Sequence, residues 1–540
     1  MKNLMMALLF AFGMSAAVAQ NTTFKWGQLG EFKNSDDHFT EVLHFSDNAV
    51  FLDRYDYKSY KHYIEKYDAN LKLVYSVEAY MTKSEIKNTM SYAGAAVLGG
   101  KAYFFIHVWN PDDLENTLMA FELDDKGEEV RRFPLAKISA EKKGKVPDYT
   151  FAVSPDQTKL GAIGVYPFEK EDTEKWHAII YDEAQKKVIL DKKNVETKVP
   201  QERYEINDLL INNNAVMFSF KRWDIKKLGQ FTAFVTLTPN GDAKRTDTEL
   251  GGKAITSRKV FLNKQGQASV VGFLSDFEKD GGEMAGHYYF TVDEKGDLLK
   301  CTHEAFGEDV FKLVDAGGLI TKDMYRLRSD YKYVNCVEGD KGEITLFIEK
   351  YKADRKSLPL PPGQTGMPPS EYSYVHGEAI AIRLDNTGHR LWAADFKKTQ
   401  TYKSLRQYVY FGSIVPLMKG DEVYFIWNNI DFPLIPKTGL ATPGWLDAAG
   451  KKHTLEEYGG RMVHPTCLSG YDANGNPLFA DNPVQYAMPL LEMYKGATYP
   501  VSFNTSLTAQ NGNKVLLIME MTGGADKGQG KFQLCVVTVN

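Results

Sequence analysis

The side chains most suited to binding a ligand in this 540-residue sequence are tryptophans that lie close to carboxylates or a histidine. An indole ring offers a flat apolar surface and a carboxylate accepts hydrogen bonds, so the combination suits recognition of a carbohydrate or a peptide. The competing interpretation is that tryptophans at strand ends seal a core and that the charges are solvated. The candidate ligand-binding residues are Trp109, Asp112, Trp223, Trp427, Asp431, Trp445 and His464.

Sequence motifs of catalysis are mostly missing from the chain. No Gly-x-Ser-x-Gly elbow, His-Glu-x-x-His zinc helix or Walker loop occurs, and the 11 histidines form no close metal-ligand pair. We therefore predict no metal, no cofactor and a non-catalytic protein. Acid and base carboxylates brought together from distant segments would leave no local motif, so an enzyme stays an alternative.

The elements that would position these residues follow a repeat of tight turns. Glycine stands three positions after the opening residue in five of seven copies, as in Asp385-Asn386-Thr387-Gly388. Glycine suits such turns because it tolerates positive φ. A period near 55 residues indicates a propeller or another repeat array. The opening residues are Asp68, Asp124, Asp182, Thr238, Asp293, Asp385 and Asp472, at intervals of 56, 58, 56, 55, 92 and 87 residues.

Each repeat can be divided into four strands, A to D, because short apolar or alternating runs are separated by turn residues. In the first repeat these are residues 41–45, 49–55, 60–67 and 73–77. The chain ends with only three such runs, and residues 23–29 provide the fourth. We therefore predict an all-β fold, a single β-propeller of eight blades with seven as the alternative. Its N-terminal strand would complete the C-terminal blade and remove the open edges.

Two motifs carry a resemblance to known propellers. Ser154-Pro155-Asp156-Gln157 resembles the hairpin of TolB-like and WD-type propellers, although Gln157 replaces the usual glycine. The turn from Asp385 to Gly388, followed by Trp392, resembles the tryptophan-docking motif of eight-bladed quinoprotein-type and BamB-like propellers. The resemblance implies that Trp392 docks between blades. It covers nearly the whole chain as an architecture and indicates no specific family, since the adjacent cysteine pair of quinoprotein dehydrogenases is missing.

Four insertions interrupt the repeat, at about residues 302–330, 352–377, 429–462 and 482–499. In a propeller, the B to C and D to A connections emerge on one face, so the insertions should cap one mouth of the channel. Loops on a rigid scaffold commonly carry function. The second insertion is rich in proline and is predicted to be an extended loop without regular structure. A short helix is expected near Val310 to Val314.

The N-terminus predicts export. Residues 1–19 have a lysine, a short apolar run and an Ala17-Val18-Ala19 cleavage pattern, so a mature propeller domain of residues 20–540 is expected. The signal and the Lys/Tyr/Phe-rich body resemble exported proteins of Bacteroidota, which implies a periplasmic or secreted location. No other segment is long and apolar enough to span a membrane. Free thiols are expected at Cys467 and Cys535, and a bridge from Cys301 to Cys336 is the disulfide to test.

Charge narrows the choice of partner. The net charge is −5, from 65 basic and 70 acidic residues, and no long basic block occurs. Nucleic-acid binding therefore has no electrostatic support. We predict an exported binding or scaffold protein of the cell envelope that recognises a protein or glycan partner through the face that carries the insertions. The alternative is a secreted glycan hydrolase or lyase with its site at the channel mouth.

Overall fold

A computed structural model shows the chain as a ring of antiparallel sheets. The short strands within 319–327, 444–454 and 484–486 are described by their backbone alone. Residues 1–21, which include the predicted signal, lie outside the described part of the chain. The structure describes residues 22–33, 37–79, 90–168, 173–200, 208–225, 229–276, 284–313, 319–321, 324–327, 331–359, 370–396, 398, 400–404, 412–428, 444–446, 452–454, 466–479, 484–486, 503–521 and 530–540.

The described residues form 38 strands and two short helical turns. The first fourteen strands are β1 Thr22–Trp26, β2 Gly30–Glu31, β3 His38–Phe45, β4 Ala49–Asp56, β5 Lys61–Asp68, β6 Leu73–Glu78, β7 Met90–Leu98, β8 Lys101–Asn110, β9 Glu115–Leu123, β10 Glu129–Ser139, β11 Asp148–Val153, β12 Lys159–Val165, β13 Thr173–Asp182 and β14 Lys187–Pro200. The next fourteen are β15 Asp208–Ile211, β16 Met217–Ile225, β17 Gly229–Leu237, β18 Ala243–Thr248, β19 Lys253–Leu262, β20 Ala268–Asp276, β21 Gly286–Val292, β22 Leu298–Ala305, β23 Leu319–Thr321, β24 Met324–Leu327, β25 Tyr331–Glu338, β26 Ile344–Ser357, β27 Ser370–Leu384 and β28 Arg390–Phe396. The last ten are β29 Gln400–Ser404, β30 Val415–Lys419, β31 Glu422–Asn428, β32 Gly444–Leu446, β33 Lys452–Thr454, β34 Thr466–Tyr471, β35 Val484–Tyr486, β36 Phe503–Asn511, β37 Lys514–Met521 and β38 Lys531–Val539. The helical turns are a 3-10 turn, Lys143–Lys145, and α1, Glu308–Phe311.

Eight sheets form the blades, each with four main strands lettered A to D from the centre outward. Blades 1 to 5 are β3–β6, β7–β10, β11–β14, β15–β18 and β19–β22. Blade 6 is β25–β28 with β29 added beside β27, and blade 7 is β30, β31, β34 and β35 with the β32–β33 hairpin outside it. Blade 8 is β36, β37, β38 and β1. The eight A strands contact one another in cyclic order, so the ring is closed.

The seam of the ring lies where the two ends of the chain pair. Strand β1 runs antiparallel to β38, with Thr22 opposite Val539 and Trp26 opposite Cys535, and β2 pairs with the start of the same strand. The predicted eight-bladed propeller and its closure by the N-terminal strand are confirmed. Closure matters because an unpaired strand edge would leave backbone N–H and C=O groups without partners.

The hydrophobic core is divided into eight clusters, one between each pair of neighbouring blades. This arrangement follows from the alternation of side chains along a strand, which gives each sheet two apolar faces, one toward each neighbouring blade. Between blades 8 and 1, for example, Phe39 and Leu52 pack with Leu516 and Phe532. Each blade is therefore stabilised by both neighbours.

The repeated aspartates hold the C to D turns. In five blades one carboxylate oxygen accepts the backbone N–H groups two and four residues later; at Asp68 these donors are Asn70 and Lys72, at 2.8 and 2.9 Å. This local bonding explains why Asp recurs at the position. The same pattern occurs at Asp124, Asp293, Asp385 and Asp472, while Asp182 accepts from Gln185 instead.

The outer strand of one blade docks on the C to D turn of the next. The indole N–H of Trp392 in blade 6 donates to Ala473 O at 2.9 Å, and a Cβ added to Gly475 would lie 2.9 Å from the indole ring. Tyr75 covers Gly127 in the same way between blades 1 and 2. The docking predicted for Trp392 is thus observed, and glycine is needed because the ring leaves no space for a side chain.

One predicted loop was wrong. Most of the insertion at 352–377 consists of paired strands, because β26 and β27 continue their register from Tyr351 opposite His376 to Ser357 opposite Ser370. Strand β29 then pairs with the outer part of β27. The prolines are confined to residues 359–369, so they do not prevent pairing of the flanks. The predicted helix in the 302–330 connection begins slightly earlier than expected, as α1.

None of the four cysteines, all in the described part of the chain, forms a disulfide. Cys467 and Cys535 are buried, as predicted, and burial raises the pKa of the Cys535 thiol. Cys301 is exposed and is not joined to Cys336.

Among the described residues, no helix is long and apolar enough to cross a membrane.

Candidate functional site

The two ends of the propeller differ in how their strands are connected. A to B and C to D connections are mostly tight turns on one end, which we call the turn face. The B to C and D to A connections lie on the other end, which we call the insertion-bearing face. Both the extended β26–β27 hairpin and the β32–β33 hairpin arise from B to C connections.

The tryptophans predicted as ligand contacts lie at the ends of B strands and pack inward. Trp109, Trp223 and Trp427 are 8%, 3% and 3% exposed. The ring of Trp223 stacks on Phe231, and that of Trp427 lies 5.2 Å from Phe396. Their rings therefore seal the strand ends. Only the backbone of Trp445 is described, and Asp431 and His464 lie outside the described residues.

The described acidic residues near these tryptophans bond to residues of their own blades. Asp112 lies in an exposed turn capped by Asn110, whose side-chain oxygen accepts its backbone N–H at 3.0 Å. Glu115 pairs with Lys137 at 3.0 Å. Asp224, two blades away, accepts from Gln230 at 3.2 Å. Asp431 and His464, the other candidates for an acid and base pair, lie outside the described residues, so the hydrolase alternative stays a prediction.

A cluster that the sequence did not single out lies at the B to C turn of blade 1. The register places Tyr55 opposite His62, and His62 Nδ1 lies 3.0 Å from both carboxylate oxygens of Asp53. The hydroxyl of Tyr92, from strand A of blade 2, donates to Asp53 Oδ2 at 2.9 Å. When Nδ1–H donates to Asp53, the other ring nitrogen of an imidazole in its neutral form, Nε2, is a hydrogen-bond acceptor.

Aromatic rings surround this histidine. The imidazole stacks on Tyr92 at a centroid distance of 3.9 Å and lies 4.9 Å from the Tyr55 ring. Beyond Tyr55 are Tyr57 and Tyr60, which are 56% and 72% exposed. Burial, and then the charge of Asp53, raises the pKa of Tyr92, so its hydroxyl remains a donor. We call Asp53, Tyr55, Tyr57, Tyr60, His62 and Tyr92 the tyrosine–histidine site.

The turn of this site has unusual backbone geometry. Asp56 Oδ1 accepts the N–H groups of Lys58 and Ser59 at 3.0 and 3.1 Å, and Tyr60 then adopts a φ of 57°. Left-handed backbone favours glycine or asparagine and disfavours tyrosine. The equivalent turn of blade 2 ends in Leu114, also left-handed, with a φ of 49°. The density of tyrosines around one turn was the only sequence signal for this site.

A second polar cluster is buried in blade 6, where strands β26, β27 and β29 meet. Glu349 Oε2 lies 2.9 Å from Lys398 Nζ, and its Oε1 lies 2.6 Å from His376 Nδ1. Although burial opposes ionisation, Lys398 and His376 hold the pKa of Glu349 well below its usual range. Lys398 also donates to Gln400 Oε1 at 2.8 Å.

The same cluster ties three blades together. Gln400 donates to Asn428 O at 2.6 Å, and the Asn428 side chain donates to Phe503 O at 3.0 Å. Glu349, Lys398 and Gln400 are almost fully buried, so their acid and base groups face protein atoms. The arrangement anchors the D to A connection of blade 6 beneath the insertion-bearing face. Within the described ranges, no three His, Cys, Asp or Glu side chains are grouped to hold a metal ion.

Comparison with protein-family models and with curated proteins finds no match. Among solved structures, the chain is similar to the Dos1 propeller, with 9% identity, a TM-score of 0.40 and coverage of 96% of this chain and 95% of that one. It is also similar to the propeller domain of the trilobed protease from Pyrococcus furiosus, with 10% identity, a TM-score of 0.32 and coverage of 70% and 98%. A quinoprotein alcohol dehydrogenase-like protein from Bacteroides thetaiotaomicron has 12% identity, a TM-score of 0.28 and 67% coverage of both chains.

Proposed function

We propose that this chain is an exported binding protein of the cell envelope that recognises a protein or glycan partner through its insertion-bearing face. Export is proposed from residues 1–19, which would direct the propeller to the periplasm or the exterior. The candidate ligand contacts Asp112, Asp431, Trp445 and His464 belong to connections of this face. Trp109, Trp223 and Trp427 would support those connections from below.

The observation that supports the proposal is the difference between the two faces. The turn face is bonded to itself: Lys264 of blade 5 pairs with Asp340 of blade 6 at 2.6 Å, and Lys341 pairs with Asp421 of blade 7 at 2.7 Å. The opposite face carries the long connections, the exposed tyrosines and the anchor beneath blade 6. Rigid scaffolds commonly place recognition on such loops.

The test removes part of the insertion-bearing face. The mature chain and a variant without residues 429–462 are immobilised and exposed to envelope extract from the producing cells. We expect the intact chain to retain a partner and the deletion to lose it. Protease treatment of the extract should abolish capture of a protein, and periodate, which cleaves vicinal diols, should abolish capture of a glycan.

A substitution on the turn face supplies the control. Lys264→Ala removes one exposed ion pair, which contributes at most about 1 kcal/mol to stability, and should leave capture unchanged. The proposal fails if the deletion captures the same partner as the intact chain, or if capture depends on Lys264.

A further inference from the structure

The exposed tyrosines of blade 1 are not accounted for by folding. Tyr60 has the left-handed backbone that a tyrosine adopts at a cost in free energy, and its side chain remains mostly in solvent. Tyr57 is also exposed, and the two rings are 6.1 Å apart and tilted by 36°. The two rings do not stack on each other, and Tyr57 contacts Tyr55 at an interplanar angle of 85°, so both side chains leave aromatic surface exposed to solvent.

His62, the histidine of this site, has one ring nitrogen, Nε2, that can accept a hydrogen bond from a ligand. Asp53 fixes Nδ1, and Tyr92 and Tyr55 confine the ring from two sides. The side chain of His62 is 24% exposed, and none of the described residues bonds to Nε2. An acceptor with this fixed orientation beside free aromatic faces can bind a group that has both a hydroxyl and an apolar surface.

The surrounding charges favour a neutral ligand. Asp56 lies in the turn itself, and Glu78 is paired with Lys61 at 2.7 Å, so an anion would meet carboxylates as well as lysines. Lys58 and Ser59, between the two tyrosines, are exposed and polar, which disfavours a purely apolar peptide. A sugar ring combines an apolar C–H face, which packs on an aromatic ring, with hydroxyl donors at its edge.

We propose that the tyrosine–histidine site binds a neutral saccharide, with sugar rings stacked on Tyr57 and Tyr60 and one hydroxyl donating to His62 Nε2. This inference rests on the proposed function, because it places binding on the insertion-bearing face and names the ligand class for blade 1. It requires no contact from residues 429–462.

The test uses the opposite effects of one substitution on stability and binding. Tyr60→Asn supplies a residue that tolerates the left-handed backbone and removes the ring. Its melting temperature should rise by about 1 °C, while its affinity for saccharide should fall at least tenfold. Leu114→Asn relieves the same backbone strain in blade 2 and should raise the melting temperature without changing the affinity.

Binding is measured on the mature chain with an array of neutral oligosaccharides, followed by calorimetric titration of the one that binds best. His62→Phe keeps a stacked ring but removes the acceptor, and the loss of one hydrogen bond should weaken binding about fivefold to tenfold. The deletion of residues 429–462 should keep saccharide affinity even where it loses the envelope partner, so the two proposals fail separately. Failure of the intact chain to bind any array member, unchanged affinity in Tyr60→Asn, or a lower melting temperature in that variant would overturn the inference.

Discussion

Substitution of Gly475 by alanine tests the docking that joins blades 6 and 7. Gly475 has a φ of +82°, and an added Cβ would lie 2.9 Å from Trp392 Cδ2, well inside ordinary contact. The indole is held by its hydrogen bond to Ala473 O. The new methyl group must therefore displace the ring. Gly420, in the A to B turn of blade 7, has a φ of +58° and no atom within 4 Å of an added Cβ.

The two substitutions separate backbone strain from lost docking. Alanine in left-handed backbone costs about 1–2 kcal/mol, which applies at both positions. Displacement of Trp392 adds the net loss of one hydrogen bond, about 1 kcal/mol, and part of its packing. We therefore expect Gly475→Ala to lower the free energy of unfolding by about 2–4 kcal/mol and Gly420→Ala by about 1–2 kcal/mol.

Equilibrium urea unfolding followed by far-ultraviolet circular dichroism measures both losses. In a Trp392→Ala background the methyl group meets no ring, so Gly475→Ala should then cost no more than Gly420→Ala. Equal costs at the two glycines in the native background would refute the argument that Trp392 docking excludes a side chain at position 475.

Three other perturbations test the fold and its buried charges. Burial lowers the pKa of His287 to about 4, so protonation opposes folding as pH falls from about 6.5 to 4. In urea unfolding, the free energy of unfolding of the native chain should fall by up to about 3 kcal/mol more than that of His287→Gln over this range, and parallel pH profiles would contradict the lowered pKa of His287. Lys398→Met should cost about 3 kcal/mol because it leaves Glu349 buried with one cation fewer, whereas the double variant with Glu349→Gln should recover part of that loss; additive urea-unfolding losses would argue against the pairing. Deletion of residues 22–31 removes the outer strand of blade 8 and should lower the melting temperature by more than about 10 °C and promote association through the β38 edge; an unchanged, monomeric protein would contradict the closure.

Much of the fold could be predicted because its repeated chemistry is local. The carboxylate of Asp385 bonds backbone groups only two and four residues away, so each turn leaves its own mark in the sequence. Strand alternation then locates the flanking runs. The docking of Trp392 was implied only by the resemblance to the tryptophan-docking motif, because its partner Ala473 lies 81 residues further along the chain.

The candidate sites were harder to predict because their partners are distant in sequence. Tyr92 reaches Asp53 from another blade, and Glu349 meets Lys398 only after the chain has passed through a long hairpin. Neither distance nor burial can be obtained from the residue types alone. The tryptophans were predicted to be the aromatic contacts for a ligand, yet the exposed aromatic surface beside His62 is formed by Tyr57 and Tyr60.

The flanks of the proline-rich insertion were wrongly predicted to lack regular structure. The loop prediction for residues 352–377 was based on the prolines from Pro359 to Pro369, although Tyr372 and Tyr374 alternate with polar residues as a strand requires. Prolines prevent pairing only where they stand, so β26 and β27 continue up to them.

Hydrogen exchange on the mature chain, with and without its captured envelope partner, tests most directly whether the insertion-bearing face is the binding surface. We expect protection of backbone amides in the B to C and D to A connections, and no change in the C to D turns that begin at Asp68 and Asp124. Protection of those turns, with the connections unaffected, would contradict the account.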